Sequence, residues 1–252
     1  MAYRANPFLE RMSERTTSDQ EFVQMFAPKV LERLNDDCLR GGVHIFRSPP
    51  GGGKTTILRA FTPNALRAFW HGGPMGADTY RQLIDRGVID ADIGPQTLGV
   101  FLSCASGYAD LPPGASAISE GMFRALLDCR IVLRSLRSLG ELVGSTSADT
   151  MEALELHYDD GFLQDLSSIP LHSTAAEMIG WAEQREREVY SQLDSLAYMP
   201  GASAPSDVRF ESLLWLQSVR FVHDGRVVAP KRLKAKTISA RTSPYDAALT
   251  RY

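Results

Sequence analysis

Apolar positions along the chain fall into runs of helical spacing broken by glycine and proline, with a few short stretches of strand character between them. Ser18, with Glu21 three residues on, has the form of a capping box and predicts a helix with Phe22, Met25 and Phe26 on one face. Pro28 starts a new turn, and Val30, Leu31 and Leu34 continue the apolar stripe. After Gly41-Gly42, the β-branched and aromatic run Val43-His44-Ile45-Phe46 predicts a buried strand. A helix is expected from Lys54, interrupted at Thr62-Pro63, which restart it as N-cap and first helical residue. The Gly- and Asp-rich stretch from His71 to Pro95 leaves room for one short helix over Thr79 to Asp85.

Leu98 to Leu102 predicts a second strand, running into a loop from Ser103 to Gly114. The longest helical pattern, Glu120 to about Val143, places Met122, Leu126, Cys129, Leu133, Leu136 and Val143 at spacings of three, four or seven, with Arg130, Arg134 and Arg137 on the other face. A second long helix is expected from Thr174, which forms a capping box with Glu177, to about Ala197, and a third over Ser206 to Val219. Asp224-Gly225 between Arg220-Phe221-Val222 and Arg226-Val227-Val228 is a hairpin signal. The sum predicts an α/β fold, a P-loop NTPase-like core with a large helical insertion or subdomain. It divides as 1–118 for the N-terminal segment and nucleotide-binding core, 119–219 for the helical part, and 220–252 for the hairpin and a basic tail.

Composition narrows the classes. The 252 residues are 44% hydrophobic and 23% charged, which is too apolar for a disordered chain, and the net charge of −3 is too near neutral to coat nucleic acid by bulk charge. No apolar run approaches the roughly 18 residues needed to span a bilayer, and the first residues carry no secretory apolar region, so a cytoplasmic location without membrane contact is expected. Cys38, Cys104 and Cys129 are odd in number and widely spaced, so neither a disulfide framework nor a zinc site is indicated.

The run Phe46-Arg47-Ser48-Pro49-Pro50-Gly51-Gly52-Gly53-Lys54-Thr55-Thr56 sits between a predicted strand and a predicted helix, the context of a phosphate-binding (Walker A) loop. Gly51, Gly52 and Gly53 let backbone N–H groups turn inward to cradle a phosphate at a helix start. Lys54 supplies a cation to the β- and γ-phosphates, Thr55 a hydroxyl to Mg²⁺, and Thr56 reaches the α-phosphate. Ser48 stands where the strict pattern has Gly, a small residue that can still make the turn. Hydrolysis needs more: an acid at the end of an apolar strand to hold the metal. No run of four apolar residues followed by Asp-Asp or Asp-Glu exists here. Asp159-Asp160 read as the solvated end of a helix, from the helical spacing of Met151, Leu154 and Tyr158, and Asp224 reads as a turn residue.

Asn6-Pro7-Phe8, Asp19 to Val23 with Met25 to Pro28, the loop with Ala60 to Pro63, and Phe123 to Leu127 with Val132-Leu133 together resemble bacterial AAA-type P-loop ATPases of the origin-recognition-complex-like group. The resemblance implies a P-loop ATPase fold, ATP with Mg²⁺ as cofactors, and a switch role in multi-protein systems such as phage or mobile-element defence, with a protein partner or a homo-oligomer. It also implies that Asn6 and Phe8 lie beside the adenine. The family would place its acidic strand shortly after a segment like Val227 to Leu233, whereas this chain continues Lys234-Ala235-Lys236-Thr237. That departure implies either a shortened, nucleotide-binding form with weak or absent ATPase activity, or an acid supplied by another chain.

Other features have plainer readings. Lys231, Arg232, Lys234, Lys236, Arg241 and Arg251 against the single acid Asp246 make a basic tail, solvated by default and able to contact nucleic acid. Arg130, Arg134 and Arg137 read as a solvated helix face, with an arginine finger as the sharper alternative. His44 reads as packed, and His157, His172 and His223 share no ligand spacing. Trp70, Trp181 and Trp215 read as core or interface anchors, and Ser103 and Ser106 as candidate γ-phosphate sensors. Two other functions fit the chain: a small-molecule or nucleotide kinase, which lacks a lid-like arginine cluster here, and a non-catalytic protein-interaction module.

Overall fold

A computed structural model describes residues 18–32, 34, 53–73, 77–102, 117–158, 171–198 and 212–228. The predicted strand Val43 to Phe46, Asn6, Phe8, Ser48, Gly51, Gly52, Ser103, Ser106, Asp159-Asp160 and the basic tail lie outside them.

Ser18 opens α1 (Asp19–Met25) from an extended conformation, its Oγ accepting from the Glu21 N–H at 3.2 Å. Phe22 and Phe26 enter the core, their rings 5.6 Å apart, and Phe26 meets Phe69 edge-on at 5.6 Å. Met25, expected on the same face, is 49% exposed. The helix ends at Met25 and Phe26 is already extended (φ −73°, ψ 123°), so the chain carries Phe26 inward and leaves Met25 outside. Leu31 of α2 (Lys29–Glu32) and Leu34 complete this wall.

The break at Thr62-Pro63 separates α3 (Lys54–Ala60) from α4 (Pro63–Gly72), with Thr62 as N-cap and Pro63 starting the new helix. Thr62 spends its hydroxyl on the Arg59 carbonyl at 2.8 Å rather than on its own helix. Helix α4 packs on α1 through Ala65, Leu66 and Phe69, and α5 (Ala77–Asp85) adds Leu83. A small hairpin that the apolar pattern does not announce follows, β1 (Ile89–Asp90) against β2 (Gly94–Pro95). Asp90 holds its turn by accepting from the Asp92 and Ile93 N–H groups at 2.9 and 3.0 Å. Gly94 (φ 98°) lies against the Trp70 ring, where a Cβ would come within 3.1 Å.

The predicted strand at Leu98 to Leu102 does not form; residues 96–102 carry no ladder. Leu98 packs on the second core, while the Gly99 backbone lies on Phe61 of the first, so closely that a Cβ would stand 1.8 Å from the Phe61 carbonyl oxygen. The segment crosses between the cores, and among the described residues no strand lies beside it to pair with.

The second core is built on α6 (Ala117–Val143) and α8 (Ala175–Tyr198), the most extensively packed pair of elements. Val132, Leu133, Leu136 and Leu139 meet Ala175, Met178 and Ala182, the two alanines letting the helices approach closely. The expected capping box opens α8, Thr174 Oγ1 accepting from the Glu177 N–H and Glu177 Oε2 from the Thr174 N–H, each at 3.3 Å. Between these helices Ser147 caps α7 (Ala148–Ala153).

Leu154 to Tyr158 is not helical as its spacing suggests. Leu154 ends α7 in an extended conformation and β3 (Glu155–Tyr158) follows, with Leu156 buried opposite Phe221 of β4 (Val219–His223). Strand periodicity wins because a long-range partner exists to receive it. Helix α9 (Ser212–Ser218) is shorter at its end than expected, since Val219 already belongs to β4. The Asp224-Gly225 hairpin forms as predicted, both residues at positive φ (50° and 71°), and joins β4 to β5 (Arg226–Val227). The hairpin thus forms two strands of the sheet β3-β4-β5.

The cores are joined at one end of α6. Arg67 of α4 donates from Nη1 to the Glu141 carbonyl at 2.8 Å, and Gly144 (φ 116°) passes beside its guanidinium.

Candidate functional site

Of the predicted loop, Gly53, Lys54, Thr55 and Thr56 are described. Gly53 is the N-cap of α3 in the left-handed region (φ 82°, ψ 9°), and its carbonyl accepts the first helical bond, from Ile57 N–H at 3.0 Å. Among the described residues a Cβ there would meet nothing within 4 Å, and the positive φ makes the requirement for glycine conformational. Lys54 begins the helix half-buried, Thr55 is exposed and Thr56 half-buried. At the other end of α3, Arg59 stacks 4.5 Å over the Phe22 ring and bonds Asp19 at 3.0 Å, which fixes the short helix on α1.

No group of three His, Cys, Asp or Glu side chains suited to a metal ion exists among the described residues. The strands described pair only antiparallel, and β3, which precedes Asp159-Asp160, alternates exposed and buried residues rather than running apolar. His157 and His172 line one hollow of about 400 Å³ with Tyr158, although fifteen positions separate them in sequence; His157 Nε2 lies 2.7 Å from Glu155 Oε2. The Cys129 thiol is pushed up to about 12 by burial first, then by Glu186 and Asp128, the environment of a buried structural thiol.

The arginine face of α6 is not uniformly solvated. Arg130 is clamped by Glu186 at 2.9 Å and by the Tyr190 hydroxyl, and Arg137 reaches Glu183 at 3.3 Å, both across to α8. Arg134, between them, is exposed and lines a cleft of about 810 Å³ between the two cores. This cleft was invisible to sequence reading, because its walls come from six helices and the strap at Phe101.

Glu141 also lines the cleft, its carboxyl held above the usual range by burial and then by the charge of Asp19, with Arg134 opposing. A raised folded value means that the neutral form is favoured in the fold. That contribution is complete below the ordinary value of 4.5 and is lost as pH rises through the raised one. Glu141→Gln should therefore raise the thermal midpoint at pH 7, with the gain vanishing below pH 4.5. Thermal melts of both proteins across this range check it; a gain independent of pH would contradict the assignment.

Among the described residues no helix is long and apolar enough to cross a membrane. Comparison of the chain with protein-family models, with curated proteins and with solved structures finds no match to any of them.

Proposed function

We propose that this chain is an ATP-binding P-loop protein of AAA-like architecture, a cytoplasmic regulatory or assembly component working with a protein partner or further copies of itself. Its own ATP hydrolysis is weak or absent, because the sequence supplies no apolar strand ending in a metal-binding acid. The observation that carries the reading is the left-handed Gly53 handing the chain directly into a helix that begins Lys54-Thr55-Thr56. This places backbone N–H groups, a lysine and two hydroxyls around one helix start, the donor set a phosphate chain and its Mg²⁺ require. Mg²⁺ would be held through Thr55, with water and phosphate oxygens filling its other positions.

Equilibrium binding of Mg-ATP to wild type and Lys54→Ala tests it. Loss of a charge-assisted contact should weaken affinity roughly tenfold or more. Equal affinities would remove the assignment.

A further inference from the structure

The cleft between the cores has the makings of a second binding site. Its apolar wall is Phe101, Met151 and Ile179, with Phe101 39% exposed although it is aromatic. Its charged residues are not equivalent. Arg59 is engaged by Asp19 and Phe22, and Arg137 by Glu183. Arg134 makes no hydrogen bond or ion pair among the described residues and acts on Glu141 only through space. Its neighbours one turn away on either side, Arg130 and Arg137, are both fastened to α8. A cation with no hydrogen bond or ion pair among the described residues, near Glu141 only through space and beside an apolar wall in a cleft of about 810 Å³, matches the size and composition of small-ligand sites. The cleft meets α3 at Arg59, whereas Lys54 lies at the opposite end of that helix, roughly 8 Å along its axis at 1.5 Å per residue.

We propose that the cleft binds a small organic anion, with Arg134 holding its charged group and Phe101, Met151 and Ile179 its apolar body. The hydroxyl of Thr146 and the amide of Asn64 stand on the same lining to take further polar contacts. Recognition combines one charge with one apolar surface, so a carboxylate and a phosphate monoester both satisfy it.

The test uses the full chain and the fluorescent anion 8-anilino-1-naphthalenesulfonate, titrated to saturation and then displaced by phenyl phosphate, benzoate or neutral benzyl alcohol. Saturable binding is expected, displaced by one or both anions and not by benzyl alcohol, and the better competitor names the anion. Arg134→Gln should weaken dye binding roughly tenfold, and Arg134→Lys should retain part of it. Arg134 is exposed, so neither change should disturb folding. Lys54→Ala should bind the dye as wild type does. The proposal is overturned by equal displacement with benzyl alcohol, by absence of saturable binding, by unchanged affinity in Arg134→Gln, or by loss in Lys54→Ala alone.

Discussion

Trp215→Ala is expected to lower the unfolding free energy by about 3 to 5 kcal/mol, the largest single loss among the described residues. The side chain is fully buried, meets Phe221 edge-on at 6.0 Å, and donates from Nε1 to the Tyr158 hydroxyl at 3.4 Å. It thus sits where α9, β3 and β4 converge, and truncation leaves a cavity that three elements cannot close together. Trp215→Phe keeps most of the volume and should cost far less, losing mainly the N–H contact. Urea unfolding followed by circular dichroism measures both; a cost below about 1 kcal/mol for alanine would be inconsistent with complete burial.

The second large effect is expected at Asp128. This carboxylate is 5% exposed and accepts at Oδ1 from the Ser212 N–H at 3.2 Å and the Ser212 hydroxyl at 2.5 Å, across 84 positions of sequence. Ser212 is itself fully buried and begins α9, so Asp128 on α6 acts as a cap for a helix on another segment. Asp128→Ala strands two buried donors and should cost about 2 to 4 kcal/mol. Asp128→Asn retains an acceptor oxygen and should cost less than half of that, which separates hydrogen bonding from packing. Equal losses in the two variants would show instead that the charge is what matters.

The parts of the fold legible in the sequence are those decided within a few residues. Ser18 with Glu21, Thr174 with Glu177, Thr62-Pro63 and Asp224-Gly225 each carry their own geometry, and each forms as expected. Leu154 to Tyr158 and Leu98 to Leu102 are misread for a shared reason: whether a stretch becomes a strand depends on a partner elsewhere. Leu156 finds Phe221 some 65 positions away, while Leu98 to Leu102 finds none among the described residues and bridges the cores instead. The candidate site divides in the same way. Gly53 to Thr56 is contiguous and readable. The cleft draws Arg59, Phe101, Arg134 and Ile179 from four separate stretches, and no spacing rule links them.

The bond from Arg67 to the Glu141 carbonyl reaches beyond local capping. A 27-residue helix accumulates a partial negative charge at its C-terminal end, and here the neutralising cation is supplied by the other core. Separating the cores would expose that end and the arginine at once. Opening between the cores thus carries an electrostatic cost at a helix terminus, in addition to breaking the contacts of the strap at Leu98 and Gly99.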